Sequence, residues 1–276
     1  TMMTEWLRGP AGPRATLLGC LPAALVSVLG GCAATPAASG ARADIPTESD
    51  ESPERKRARI RMELALGYFE EGRTTIALDE IKQVLAIDPS YPQAYNLRGL
   101  IYMRLGDMAA AEDGFRRAVA LAPGDGDALH NYGWLMCQQR RYSEADKMFQ
   151  QALSSATYGA RAKTFMAQGV CQARAGRNEE AERSLARSYE LDPAHPVTGY
   201  NLANLLYRRG ELTRAQFYAR RLNNSELANA ESLWLGIRIE NKLGNKLAVS
   251  QLSDQLRRRV PQSRELQAYD KGVFDE

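Results

Sequence analysis

A period of 34 residues runs through this chain from about residue 58, and it limits the possible folds more than any other feature. LALGYFEEGRTTIALDEIKQVLAIDP (64–89) aligns with RGLIYMRLGDMAAAEDGFRRAVALAP (98–123). Tyr68 and Tyr102, Gly72 and Gly106, Ala77 and Ala111, and Pro89 and Pro123 are each 34 apart. The pattern continues as YGWLMCQQRRYSEADKMFQQAL (132–153), QGVCQARAGRNEEAERSLARSYELDP (168–193) and LANLLYRRGELTRAQFYARRL (202–222). A weaker copy is LGIRIENKLGNKLAVSQLSDQL (235–256). Repetition at this length means small units stacked in a row, each burying its apolar face on its neighbours.

The punctuation identifies the unit as the tetratricopeptide repeat. A small residue recurs at the eighth position (Ala65, Gly99, Gly133, Gly169, Ala203, Gly236) and another at the twentieth (Ala77, Ala111, Ala145, Ala181, Ala215, Ala248). There the two helices of a repeat cross, and a larger side chain would separate them. Pro89, Pro123 and Pro193 close second helices, and Gly72, Gly106, Gly176 and Gly210 mark the turn between helices. The expected fold is all-α, a right-handed superhelix of six helix-turn-helix repeats at 58–91, 92–125, 126–159, 162–195, 196–228 and 229–261. Residues 262–276 are expected to form a cap, because an array must cover its last apolar face. The third repeat lacks the closing proline, and Gly133 and Gly169 are 36 apart. A longer second helix or a loop is expected there, with a local change in stacking.

The charge balance is close, 36 Lys and Arg against 33 Asp and Glu, so nucleic acid is not expected as the main partner. Four cysteines occur (Cys20, Cys32, Cys137, Cys171) with two histidines (His130, His195), and none are set close enough for a metal site. No nucleophile elbow, phosphate-binding loop or dinucleotide fingerprint is present. The paired Glu179 and Glu180 open a helix, where the dipole favours them. The expected function is therefore binding rather than catalysis, with no cofactor, metal or small-molecule substrate.

In such a superhelix the concave surface is lined by the first helix of each repeat, near positions 2, 5, 9, 12 and 13. These positions give Met62, Leu66, Phe69 and Glu70, then Asn96, Leu100, Met103 and Arg104, then His130, Trp134, Cys137 and Gln138. The last three repeats give Met166 and Val170, then Tyr200, Asn204 and Tyr207, then Leu233 and Ile237. The apolar members suit a hydrophobic or amphipathic partner segment; alternatively, some pack within the array. Asn96 and Asn204 fit only loosely the Lys, Asn and Arg set by which tetratricopeptide domains grip a terminal carboxylate, so that mode is not expected. Cys137 and Cys171 fall on first helices of adjacent repeats, where the readings are a disulfide or two separate buried thiols.

The N-terminal part differs in character. Arg8 and Arg14 precede an uncharged run, Ala15–Leu29, too short to span a bilayer. A basic stretch, an apolar core and small residues in that order are the layout of a signal peptide. Leu29-Gly30-Gly31-Cys32 resembles the lipobox of bacterial lipoproteins, which implies a signal peptide at 1–31 and lipidation at Cys32. The other reading is ordinary secretion with cleavage near Ala33 or Ala38. Ala33 is not the Asp that many Gram-negative lipoproteins use for inner-membrane retention, so the resemblance implies the periplasmic face of the outer membrane. Residues 32–57 then read as a lipidated start and a disordered tether, with an r.m.s. reach on the order of 25–30 Å.

Lipobox, tether and six repeats together resemble the PilF/PilW family of type IV pilus biogenesis lipoproteins, or pilotins. The similarity is closest in YNLANLLYRRGELTRAQFYARRLN (200–223), HNYGWLMCQQRRYSEA (130–145) and ALDEIKQVLAIDP (77–89). It implies a protein that binds the secretin subunit and promotes its localisation to the outer membrane and its multimerisation. A periplasmic scaffold or chaperone of another envelope assembly or export system is the alternative.

Overall fold

The computed structural model describes residues 51–274; the expected signal peptide, Cys32 and most of the expected tether lie outside the described residues. Thirteen helices and no strand occur among the described residues. Twelve of them form six pairs, α1 (Pro53–Glu70) with α2 (Thr74–Ile87), α3 (Pro92–Leu105) with α4 (Met108–Leu121), and α5 (Gly126–Gln138) with α6 (Tyr142–Ser154). The series continues with α7 (Arg161–Arg174) and α8 (Asn178–Leu191), α9 (Pro196–Arg208) and α10 (Leu212–Asn223), and α11 (Ala230–Lys242) and α12 (Lys246–Arg259). The expected all-α repeat fold is borne out. No helix among the described residues is long and apolar enough to cross a membrane.

The repeat punctuation has direct physical causes. Gly106 ends α3 in the left-handed region, at φ 82°, a conformation glycine adopts without a steric penalty. The third repeat has no glycine at this turn, and Arg140 takes the left-handed conformation instead, at φ 62°. At the eighth position the need is space. A Cβ on Gly99 would come within 2.5 Å of the Phe115 ring, and the absence of that atom lets the ring be fully buried. Burying such a ring contributes roughly 2–3 kcal/mol. Phe149, Leu185 and Ile81 fill the equivalent place in other repeats, all of them buried.

Successive first helices touch one another, α1 with α3, α3 with α5 and so on to α9 with α11, whereas no two successive second helices do. The six pairs therefore curve with their first helices on the inner side. Acids at one register position tie each of the middle repeats to the next. Glu112 pairs with Arg141, Asp146 with Arg177, and Glu182 with Arg209 and Arg214.

One boundary differs from expectation, and two others settle as expected. α1 begins at Pro53, inside the expected tether, because the Ser52 side chain caps it and proline suits the first helical turn. The irregular stretch after the third repeat is a loop, not a longer helix, since α6 stops at Ser154. Tyr158 from this loop folds back against Gly126, which offers the space. At the other end α13 (Arg264–Asp270), capped by Ser263, lays Leu266 on Leu233, Ile237 and Leu256.

Candidate protein-binding groove

The inner face is built from α1, α3, α5, α7 and α9. On α1 and α3, Met62, Phe69 and Leu100 are half-buried against the core of the first two repeats, and Met103 leans on the Phe115 cluster. Leu66 stands out, 45% exposed. Arg104 places its guanidinium 3.6 Å from the Phe69 ring centroid and donates to the Phe69 carbonyl. Asn96 accepts a hydrogen bond from Asn131 at 3.1 Å. Trp134 is half-buried, with the Arg174 guanidinium 5.3 Å from its ring. Apolar residues thus recur along the first helices of the first three repeats from Met62 to Trp134, each with part of its side chain exposed.

Between α7 and α9 the face opens into a cleft of about 470 Å³, and Val170, Ala173, Arg174, Asn201, Asn204 and Arg208 are among its lining residues. Tyr200 lies half-buried near this end, packed on the core of the fourth and fifth repeats.

Several residues assigned to the groove from register are not open to it. Tyr207 is 6% exposed, because Arg238 and Lys242 on α11 sit over its ring at 5.0 and 4.7 Å. Leu233 and Ile237 are fully buried under α13, the cap that their repeat needed. His130 is buried too, with Nδ1 2.8 Å from the Thr164 hydroxyl, which in turn meets the Tyr158 hydroxyl at 2.7 Å. Burial, and then the charge of Lys163, lower the His130 pKa from 6.5 to about 4, so the ring is neutral near pH 7. Cys137 is committed to Cys171 as a disulfide, with Cα atoms 5.7 Å apart.

Register reasoning passed over Arg174 and Arg208. Both stand at the thirteenth position, as Arg104 does, and reading that position through every repeat would have found them. No group of three or more metal-ligating side chains occurs among the described residues.

Comparison with known proteins agrees with this geometry. Tetratricopeptide-repeat profiles match residues 66–106, 90–157 and 137–196. The type IV pilus assembly protein PilF of Pseudomonas aeruginosa is 27% identical over 208 residues, covering 75% of this chain and 82% of PilF. The solved structure of that organism's PilF superposes with a TM-score of 0.72 at 26% identity, over 80% of this chain and all of PilF. The crystal structure of PilW, described as a widely conserved type IV pilus biogenesis factor, superposes equally well, with a TM-score of 0.72. It is 30% identical over 78% of this chain and 98% of PilW. A shared helical array, at this identity and over nearly the whole of each relative, places the chain in the PilF/PilW family of tetratricopeptide-repeat proteins.

Proposed function

We propose that this protein is a non-enzymatic scaffold of type IV pilus biogenesis that holds the secretin subunit in its inner groove. Through a lipid on Cys32 it works from the periplasmic face of the outer membrane, where it promotes secretin localisation and multimerisation. The observation that carries this reading is the strip Leu66, Phe69, Leu100, Met103 and Trp134, partly open on the inner face of a PilF/PilW relative. A partner helix inserting apolar side chains there would remove them from water, worth roughly 25 cal/mol per Å². Anchor and groove then divide the work: the lipid supplies the address and the groove supplies the partner.

Deleting the protein and scoring surface pili and secretin multimers tests the role, and loss of both is expected. Intact pili with another envelope system disturbed would point to a scaffold outside pilus assembly. The groove is tested by Leu100→Glu combined with Trp134→Glu, which should abolish secretin pulldown with little change in the circular dichroism melt. Undiminished pulldown refutes the site. Labelling with radioactive palmitate should vanish in Cys32→Ala, and equal labelling refutes the anchor.

A further inference from the structure

The inner face is not uniform in charge. Its first three repeats offer the apolar strip, but the cleft that follows between α7 and α9 gathers Arg174 and Arg208 with Asn201 and Asn204. Neither arginine forms an ion pair among the described residues; Arg174 has only the Trp134 ring for company. Lys163, at the second position of the same repeat, has no carboxylate partner among them either. The arginines beside them are matched: Arg209, which also lines the cleft, and Arg214 by Glu182 and Glu211, and Arg177 by Asp146 and Glu180. No acid is among the residues lining the cleft; Glu182 and Glu211 are taken up by Arg209, and Glu231 and Glu265 lie by Tyr200.

Two unmatched guanidinium groups lining one cleft repel each other, and an incoming carboxylate relieves that repulsion. Guanidinium is also the group that best receives a carboxylate, through paired N–H donors. The Asn201 and Asn204 amides supply further polar groups along the same wall. Trp134 joins the two regions, since its ring belongs to the apolar strip and carries Arg174 on its face.

We infer that the groove recognises a bipartite protein segment: an apolar block seated on Leu66–Trp134, followed by acidic side chains that pair with Arg174 and Arg208. This rests on the groove reading above and adds the chemistry of its occupant. The acids give orientation and selectivity, because an apolar strip alone accepts a helix in either direction.

The test uses the full chain and fluorescent peptides carrying a Leu-Phe-Leu block followed by a run of Glu, or by Gln in its place. The Glu peptide should bind about tenfold tighter, the gain expected of charge-assisted hydrogen bonds. Arg174→Gln with Arg208→Gln should erase that preference without altering the melt, and Arg174→Lys with Arg208→Lys should keep part of it. Added salt should reduce the preference. Equal binding of the two peptides, no binding of either, or an unchanged preference in the Gln variants would overturn the inference. So would arginine-dependent binding of phosphatidylglycerol vesicles without discrimination between Glu and Gln, which would assign the cleft to a lipid headgroup. Leu100→Glu with Trp134→Glu separates the two readings. If these substitutions abolish binding of peptides that the wild-type protein does not discriminate, the groove stands and only the acidic preference fails. If both peptides bind regardless, the groove fails as well.

Discussion

The junction between the third and fourth repeats and that between the fifth and sixth solve one problem in opposite ways. Both bury polar groups where a repeat meets its neighbour. At the first, Cys137 and Cys171 are joined, Thr164 bridges His130 and Tyr158, and Asp146 accepts from Gln168 and Gln172 as it pairs with Arg177. At the second the usual charge order is reversed. Gln216 stands where the second, third and fourth repeats have an acid, and the acid is Glu240 on α11, 1% exposed and held by Arg220, Gln216 and Asn245. Ala219 replaces the large residue of the other repeats and Asn223 an apolar one, so a cleft opens on the outer side between α10 and α12. The Asn223 side-chain oxygen, Oδ1, at its edge is buried without a partner. At the first junction Arg177 Nη2 makes no hydrogen bond but rests against the Asp146 carboxylate, whereas nothing offsets the desolvation of the Asn223 side-chain oxygen at the second.

The largest effect expected from this contrast is on the covalent tie. The disulfide closes a loop of 34 residues, and replacing both cysteines with Ser should cost about 3–4 kcal/mol in urea unfolding. An unchanged midpoint would show that the bond contributes nothing at this junction.

Next in size is a pH effect at the same place. The folded-state pKa of His130, about 4, lies below its ordinary 6.5, so on acidification the unfolded chain takes up the proton first. The stability linked to this group is complete above pH 6.5 and is lost as the pH falls toward 4, by roughly 3 kcal/mol. His130→Gln cannot take up that proton, so the difference in slope between the two proteins over this window isolates the group. Parallel slopes would contradict a buried neutral imidazole.

The smallest change belongs to the other junction. Asn223→Leu restores the apolar side chain typical of this position, and the neighbouring cleft has room for it. Removing the unpartnered oxygen should stabilise the protein by about 1 kcal/mol. Destabilisation would mean that the Asn223 amide bond to the Ser232 carbonyl, at 2.9 Å, outweighs its unpaired end.

How much of this was legible beforehand depended on whether a property was local to one repeat. The helix pairs, the turn at Gly106 and the close crossing at Gly99 follow from a single unit and were readable from the period. Openness to the groove was not, because a neighbour decides it. Tyr207 is closed by Arg238 and Lys242 one repeat on, and Leu233 and Ile237 by a cap that shares no part of the repeat. The cations of the cleft were in the register but went unnoticed, since charge at one position means little until the absence of nearby acids is known. The start of α1 at Pro53 was hidden by composition, because ESPERKR reads as solvated charge until Ser52 is recognised as a cap.

The contacts between first helices have a consequence for how the molecule comes apart. Each repeat is supported only by those beside it, so such an array frays from its ends and not through one concerted opening. The link between Cys137 and Cys171 sits near the middle and pins two adjacent repeats to each other. Amide exchange should therefore be slowest in α5 to α8 and should quicken toward α1 and α13. The apolar strip and the cationic cleft meet at that slow centre, through Trp134 on α5 and Arg174 on α7, so the outer part of each can yield to an incoming chain while the centre keeps them in step.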